Sequence, residues 1–312
     1  MPDPLVLPEK FVDPRITATG EARAQVGLTA LETLWFNTGT LCNLTCRTCY
    51  IESSPSNDRL VYLTRAEVAR FLDEIAREAL PTRLIGFTGG EAFMNPDLIF
   101  MLEDVLARGF RALVLTNAMK PMRKHRPALL SLRARFGDRL TIRVSIDHYD
   151  PAVHEQERGR RSWMPALDGL IWLVQNGFTI DVAGRQLGHE PEAAVRAGFA
   201  ALFAQHGIPI DAYDPVRLML FPAMDPQRDV PEITTACWGI LQKSPDSVMC
   251  ASARMVARRR GAERPVVLAC TLLAYDPRFE LGATLTDAAG PVSLNHPFCA
   301  SFCVLGGAAC SR

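Results

Sequence analysis

The chain of 312 residues lacks an excess of either charge and lacks long apolar runs. Its 34 basic residues balance 34 acidic ones, so no overall field attracts nucleic acid or acidic lipid. No apolar stretch approaches the roughly 18 residues that a membrane-spanning helix needs. The proline-rich start, MPDPLVLPEKFVDPR, has no apolar core and is unlike a secretory signal. With 48% hydrophobic and 22% charged residues, we expect a folded, cytoplasmic protein.

Cysteine is absent from residues 50–236, although the chain contains nine. Three precede this gap and six follow it, namely Cys42, Cys46 and Cys49, then Cys237, Cys250, Cys270, Cys299, Cys303 and Cys310. An odd count in a long chain without a secretory signal argues against a disulfide scaffold. Because cysteines that only fill a core would scatter, the division predicts two separate cysteine sites.

The cysteine-free segment alternates short apolar runs with amphipathic stretches. Runs typical of strands occupy residues 31–37, 83–87, 112–116, 140–146, 178–184 and 216–221. Thr64 and Glu67 are typical of a capping box, and Asn95 followed by Pro96 predicts the start of a second helix. Further helices are expected near 122–136, 164–176 and 190–206. This alternation predicts an α/β fold with a parallel sheet, which is either open or a partial barrel.

The pattern changes after residue 221. Residues 222–232 contain three prolines and are typical of a linker. Residues 233–312 are punctuated by glycine and cysteine and show no long helical pattern. We therefore predict an N-terminal extension at 1–30, an α/β domain at 31–221 and a small cysteine-rich, metal-dependent module at 233–312.

Cys42, Cys46 and Cys49 form a C-x3-C-x2-C loop directly after the first predicted strand. Thiolates suit iron–sulfur clusters, and three of them would leave one iron of a four-iron cluster open to a chelating molecule. A structural zinc site would need a fourth ligand, and histidine is absent from residues 1–124. Buried free cysteines and an incomplete zinc site are the alternatives.

Gly89, Gly90 and Glu91 end the segment GFTGGE after the second predicted strand. Adjacent glycines let a ligand approach the backbone, and the carboxylate could hold an ammonium group. Most such tripeptides are plain turns. However, this segment follows the three-cysteine loop by one strand–helix unit. It would therefore meet an amino-acid-like ligand bound to the open iron.

Together these two motifs resemble the radical S-adenosylmethionine (radical SAM) superfamily over residues 31–220. The resemblance implies a partial (β/α)6 barrel of the TIM type, with a [4Fe–4S] cluster on the three cysteines and S-adenosylmethionine on its open iron. It implies six residues that bind this cofactor: Gly89, Gly90, Glu91, Asn117, Ser145 and Arg158. A turn role for Asn117 and a surface position for Arg158 are the alternatives.

Thr48 departs from the family, which usually has an aromatic or apolar residue just before the third cysteine; Tyr50 could supply that packing. The resemblance implies reductive cleavage of S-adenosylmethionine to a 5′-deoxyadenosyl radical that abstracts hydrogen from a sheltered substrate. It also implies an electron donor such as flavodoxin or ferredoxin. An iron–sulfur electron-transfer or metal-binding protein that leaves S-adenosylmethionine intact is the alternative.

The later cysteines resemble the SPASM/twitch extensions of radical SAM enzymes, with Gly261 as the hairpin glycine. This implies one auxiliary [4Fe–4S] cluster on Cys250, Cys270 and two of Cys299, Cys303 and Cys310. The cysteines are too few for the two clusters of a full SPASM module. Cys237 would be a core residue or a functional thiol, and a structural zinc site is the alternative to the cluster.

A few other residues could take part in chemistry. His148 and His154 flank the fourth strand's end, Arg185 could hold a substrate carboxylate, and Tyr213 with Asp214 could act as a relay or base. For each, a loop or supporting role is the simpler interpretation. The run Arg258–Arg260 lacks interleaved aromatics, so it predicts a solvated hairpin rather than a nucleic-acid site.

The substrate class stays open at this stage. Peptide maturases of this group often carry a leader-binding domain before the barrel, whereas thirty residues precede the first predicted strand here. This favours a small metabolite, or a peptide delivered by a separate protein.

Overall fold

The computed structural model describes residues 9–188, 190–222 and 229–307. Its strands are β1 (Gln25–Val26), β2 (Thr33–Asn37), β3 (Leu84–Thr88), β4 (Arg111–Thr116), β5 (Leu140–Ser145), β6 (Thr179–Gln186), β7 (Leu218–Pro222), β8 (Ala253–Ala257), β9 (Val266–Leu268), β10 (Glu280–Gly282) and β11 (Val292–Ser293). Its helices are α1 (Arg65–Arg77), α2 (Leu98–Ala107), α3 (Lys120–Arg123), α4 (Arg126–Phe136), α5 (Pro151–Arg158), α6 (Trp163–Gln175), α7 (Glu192–His206) and α8 (Cys237–Ile240). A π-helical segment spans Cys299–Val304.

Nine strands form one sheet in the order β10-β9-β8-β2-β3-β4-β5-β6-β7. The six predicted strands, β2 to β7, pair in parallel and in chain order. Within the described residues, β7 and β10 do not pair with each other, so the sheet stays open at both edges. The predicted α/β fold with a partial barrel is confirmed.

The sheet continues into the C-terminal part of the chain. Strand β8 pairs in parallel with β2, placing Ala253 opposite Thr33, and β9 and β10 follow in antiparallel order. No apolar run in the sequence had indicated β8. The seventh parallel strand makes the cysteine-rich segment an extension of the barrel wall, while the division into domains stays a prediction.

The first predicted helix forms as the capping box indicated. The Thr64 side chain accepts a hydrogen bond from the Glu67 amide, and the Glu67 carboxylate accepts one from the Thr64 amide. Apolar residues at helical spacing, including Val68 and Phe71, bury one face of α1 against the sheet.

The second helix begins two residues later than predicted, because Asp97 occupies the N-cap position. The Asn95 side chain has two roles: its oxygen accepts from the Asp97 amide at 2.8 Å, and its amide group donates to the Thr38 and Leu63 carbonyls at 3.1 and 2.9 Å. Asn95 thereby joins the loops that follow β2 and precede α1. The predicted N-cap position is two residues too early, although the Asn95 oxygen does accept a backbone amide just ahead of α2.

Two apolar clusters lie on opposite faces of the sheet. One lies between the sheet and the helices, and the other fills the barrel interior and continues into the C-terminal part. Trp35 enters this interior opposite Gly86, where a Cβ would lie 2.3 Å from the indole. Gly86 therefore makes room for the largest side chain of the barrel interior. Among the helices of the described ranges, none has the length and apolarity to cross a membrane.

Candidate functional site

A cavity of about 1060 Å³, part of it open to solvent, lies at the carboxyl ends of the parallel strands. Eight predicted site residues line it together: Cys42, Cys46, Cys49, Gly89, Gly90, Asn117, Ser145 and Arg158. They come from the ends of four strands and from the last turn of α5. Since ligands of parallel α/β sheets bind at this edge, the cavity is the candidate active site.

The three cysteines lie on a loop, residues 42–49, which we call the cysteine loop. Backbone amides donate to two of its sulfurs, from Leu44 to Cys42 and from Ser53 to Cys49, each at 3.4 Å. Burial raises the pKa of the Cys42 thiol to about 12. Burial also raises the pKa of Cys46, although the charge of Arg158 lowers it. Metal binding at this loop therefore requires proton release.

The described ranges contain no group of three or more His, Cys, Asp or Glu side chains placed to hold a single metal ion. A four-iron cluster does not require such convergence, because each thiolate binds a different iron at its own corner. Three half-buried or buried thiols on one cavity wall, two of them accepting amide hydrogen bonds, fit that group.

Gly89 and Gly90 bring β3 against the cysteine loop. The Gly90 amide donates to the Gly39 carbonyl at 2.8 Å, and the Glu91 amide donates to the Leu41 carbonyl at 3.1 Å. A Cβ on Gly89 would lie 2.5 Å from the Gly39 oxygen, and one on Gly90 would lie 2.3 Å from the Leu41 oxygen. Both positions thus require glycine because a side chain would clash with the neighbouring backbone carbonyls. The absence of side chains also leaves the cavity wall open.

Replacing Gly90 by alanine should push the backbone before Cys42 away from β3. We expect the variant to bind much less iron and to lose most of its activity, because the clashing atom is a backbone carbonyl that cannot rotate away. Gly27→Ala is the matched control, since its Cβ would meet no atom within 4 Å. Iron content after anaerobic reconstitution measures the effect; equal iron in both variants would contradict this account.

Glu91 is buried behind the cavity wall, only 1% exposed. Its carboxylate accepts hydrogen bonds from the Thr116 hydroxyl at 2.7 Å, the Asn117 amide at 2.9 Å and the Phe93 amide at 3.2 Å. Burial raises the pKa of Glu91, although these donors oppose that shift. The carboxylate is not part of the cavity lining, so its predicted contact with an ammonium group finds no support in this geometry.

Asn117 links the end of β4 to the cysteine loop. Its side-chain amide donates to Asn43 Oδ1 at 2.9 Å and lies 4.0 Å from the Cys42 sulfur. Its own backbone amide is held by Glu91. Asn117 therefore does more than form a turn, and Glu91 acts on the cavity through it.

Arg158 is a buried cation on the cavity wall and not the surface residue that was the alternative. Its Nη2 lies 2.9 Å from Asp147 Oδ1, and Arg185 Nε lies 3.5 Å from the same oxygen. Burial lowers the pKa of Arg158, but the charge and hydrogen bond of Asp147 together with the thiols of Cys46 and Cys42 outweigh burial and raise it overall. Asp147 Oδ2 and Arg158 Nε are buried with no hydrogen-bond partner, so both retain capacity for a polar ligand.

The last turn of α5 explains the unusual Thr48. The Thr48 hydroxyl donates to Glu157 Oε2 at 2.8 Å, and Arg47 Nε donates to Glu157 Oε1 at 3.1 Å. The Arg47 amide also donates to the Glu157 carbonyl at 2.8 Å. A buried carboxylate therefore holds the cysteine loop where the family usually uses apolar packing. Sequence reasoning missed Glu157 because α5 was not predicted.

The two histidines near β5 are structural in this geometry and do not line the cavity. His148 Nδ1 accepts from the Asp150 amide at 3.0 Å, and its Nε2 lies 2.9 Å from Glu190. His154 Nδ1 accepts from the Asp147 amide at 3.2 Å, which leaves the proton on its buried Nε2. His154 thus supports Asp147 from behind.

His154 should make the fold less stable in mild acid. Burial and the charge of Arg158 lower its pKa to about 4, against about 6.5 when unfolded. The unfolded chain then binds more protons between these values, so stability is full above pH 6.5 and falls towards pH 4. We expect about 2 kcal/mol lost between pH 7.5 and pH 5. Thermal unfolding of wild type and His154→Asn tests this; equal pH slopes would exclude His154 as the cause.

Of the remaining candidates, Arg185 lines the cavity, and the others lie elsewhere or outside the described residues. Arg185 donates to the Thr48 carbonyl at 3.1 Å. Tyr213 is 61% exposed, and Asp214 caps a turn by accepting from the Val216 amide at 2.8 Å. Each arginine of 258–260 forms an ion pair with an acidic side chain. Cys310, a predicted auxiliary ligand, lies outside the described residues.

Five of the C-terminal cysteines lie in or against the apolar cluster that also contains the cavity-lining residues Leu272 and Phe302. Cys250 and Cys299 are buried, and Cys270 and Cys303 are half-buried. Burial and the nearby Cys270 and Cys250 thiols raise the pKa of Cys299. Cys237 belongs to the same cluster, where its sulfur accepts from the Thr234 amide at 3.4 Å.

Known proteins share this fold and this segment of sequence. The family model of the radical SAM superfamily matches residues 36–192. The antilisterial bacteriocin subtilosin biosynthesis protein AlbA of Bacillus subtilis (strain 168) is 32% identical over 143 residues, which are 46% of this chain and 30% of AlbA. The matched segment thus spans less than a third of that relative.

Solved structures agree with the fold at low identity. Streptococcus suis SuiB bound to S-adenosylmethionine aligns with a TM-score of 0.60 and 11% identity, over 82% of this chain and 64% of SuiB. The enzyme anSMEcpe with bound AdoMet aligns with a TM-score of 0.59 and 13% identity, over 82% and 76% of the two chains. Because the family model spans half of the chain and the fold agrees, the protein is an enzyme of the radical SAM superfamily, whose members use a [4Fe–4S] cluster and S-adenosylmethionine.

Proposed function

We propose that this enzyme cleaves S-adenosylmethionine reductively and uses the product to modify a peptide. The observation that carries the proposal is the single cavity in which the three cysteines, the two glycines, Asn117, Ser145 and Arg158 meet. When bound, the cluster supplies the electron for cleavage, and the cofactor supplies the group that abstracts hydrogen. Cys42, Cys46 and Cys49 would hold the cluster.

The charged wall of the cavity would orient the cofactor. Arg158 presents a permanent positive charge suited to the methionine carboxylate, and the free Asp147 oxygen suits a hydroxyl or ammonium donor. Ser145 and the open backbone at Gly89 and Gly90 add polar groups of small size. These residues would bind and orient the cofactor, and the buried hydrogen-bond network behind the cavity wall would hold their side chains in place.

Apolar side chains also line the cavity, partly from the C-terminal module. Phe221 and Phe302 stack with ring centroids 5.5 Å apart, and Leu272 is a further lining residue. These side chains would exclude water from the reacting atoms and accept an uncharged side chain. The Tyr275 hydroxyl donates to the Ile51 carbonyl at 2.8 Å, which ties the module to the segment after the cysteine loop.

AlbA, which is more similar in sequence to this chain than SuiB is, favours a peptide substrate over a small metabolite. AlbA is a biosynthesis protein of the antilisterial bacteriocin subtilosin. SuiB, which shares the fold, has been crystallised with its precursor peptide SuiA. The earlier preference for a metabolite depended on the short segment before β2 alone.

The experiment has two readouts. Reduced protein should convert S-adenosylmethionine to 5′-deoxyadenosine and methionine, and a precursor peptide encoded by a neighbouring gene should change mass in the same reaction. With the peptide deuterated, label should appear in 5′-deoxyadenosine. Label transferred from a small metabolite instead would overturn the peptide substrate, and intact S-adenosylmethionine would overturn the whole proposal.

We further propose an auxiliary cluster on Cys250, Cys270 and Cys299, with Cys303 or Cys310 as fourth ligand. Cys299 and Cys303 are four residues apart on the π-helical segment, a spacing that places both side chains on one face. Iron and acid-labile sulfide in a Cys42, Cys46 and Cys49 triple-alanine protein measure this site. Zinc without acid-labile sulfide would show that these cysteines form a structural zinc site instead.

A further inference from the structure

Arg254, the second residue of β8, is a buried cation without an acidic partner in the described part of the chain. It is 1% exposed, and its guanidinium donates only to backbone carbonyls. The acceptors are the carbonyls of Cys250 at 2.6 Å, Ala253 at 2.8 Å, Ala288 at 2.9 Å and Gly290 at 3.2 Å. Carbonyl dipoles offset only part of the cost of burying a full charge.

The other arginines that are equally buried each have a carboxylate. Arg23 pairs with Glu232, and Arg143 pairs with Asp181 at 3.4 Å. Among the described ion pairs none includes Arg254, so the charge balance at this position is incomplete. A buried cation in this situation calls for a negative group that joins the protein after folding.

The nearest candidates for negative charge are the C-terminal thiols. Arg254 holds the carbonyl of Cys250, four residues before it on the chain. Cys270 follows β9 two residues after Leu268, which pairs with Met255, the residue next to Arg254. Both cysteines therefore lie on segments that adjoin Arg254.

We propose that Arg254 is the countercharge of the auxiliary iron–sulfur cluster and raises its reduction potential. The inference rests on the auxiliary cluster of the proposed function. Reduction adds one electron to the cluster and alters no other group, so the buried site gains one negative charge. A fixed cation beside it favours the reduced state, as charge and hydrogen bonding do at iron–sulfur centres generally.

The test uses full-length protein with Cys42, Cys46 and Cys49 replaced by alanine, so that the C-terminal cluster alone gives a signal. After anaerobic reconstitution, a redox titration followed by electron paramagnetic resonance gives its midpoint potential. At that potential, Arg254→Gln should lower the ratio of reduced to oxidised cluster about tenfold, the order expected for losing a buried unit charge near the cluster. Arg254→Lys keeps the charge and should keep the ratio.

Arg260→Gln is the matched control, because it removes the same charge from a side chain that is 71% exposed. An unchanged ratio in a clustered Arg254→Gln protein would overturn the proposal, since a merely structural arginine alters stability and not potential. If Arg254→Gln does not fold, a shifted potential in Arg254→Lys overturns it as well. A triple-alanine protein without iron would also overturn it, while S-adenosylmethionine cleavage by the unmodified chain would leave the proposed function standing.

Discussion

Replacing Cys46 by alanine should reduce 5′-deoxyadenosine formation to background. A four-iron cluster on this loop has three protein ligands, so the loss of one leaves too few to retain it. Cys46 also lies beside Arg158, whose charge lowers the pKa of the thiol against the effect of burial. The measurement is product formation by anaerobically reconstituted, dithionite-reduced protein.

Cys237→Ala is the matched control for this variant. It removes a thiol from the chain while leaving the cysteine loop intact, and we expect wild-type cleavage of S-adenosylmethionine. Undiminished product from Cys46→Ala would contradict the assignment of the catalytic cluster. Loss of product in both variants would indicate general damage to the protein, so iron content and thermal unfolding are measured alongside.

The second large effect is expected at Glu157. Glu157→Ala removes the acceptor for the Thr48 hydroxyl and for two nitrogens of Arg47. Groups that orient metal ligands from behind typically contribute about 10- to 100-fold in metal affinity or activity. We expect a loss of that size in cluster affinity, measured as iron retained against a chelator, and a similar loss in the rate of cleavage.

Two further variants separate position from charge. Glu157→Gln keeps an acceptor for Thr48 but loses the charge, so it should fall between wild type and Glu157→Ala. Gln156→Ala changes an exposed residue of the same turn and should retain iron as wild type does. If Glu157→Ala keeps both iron and rate, the carboxylate does not position the cysteine loop.

Much of the barrel could be predicted from local patterns. Each strand from β2 to β7 is a short apolar run, and the Thr64–Glu67 capping box marks the start of α1. By contrast, β8 follows no such pattern, because its alternate faces pack against both clusters and it contains Arg254. Its place beside β2 requires the chain to return from β7 to the opposite end of the parallel sheet, and local periodicity does not encode that return.

Glu91 shows the same limit within the site. The motif correctly places its backbone at the cavity's edge, yet the carboxylate accepts from the Thr116 hydroxyl on β4, the Asn117 amide just after it and the Phe93 amide of its own segment. Which way a side chain points depends on the neighbours that it meets after folding. The motif therefore identifies the position but not the direct partner.

By itself, the sequence predicted the cysteine loop, the glycines beside it and the α/β class, because spacing and periodicity act over a few residues. Only the tertiary structure decided how the cysteine loop is held, since Glu157 and Thr48 are 109 residues apart. It likewise brought Arg254 and the C-terminal thiols to the barrel wall. Such contacts depend on how the strands are arranged in the sheet, and no local sequence pattern reports that arrangement. The nine cysteines are thus three that spacing alone groups into one predicted site and six whose roles spacing does not settle, five of them within the described residues.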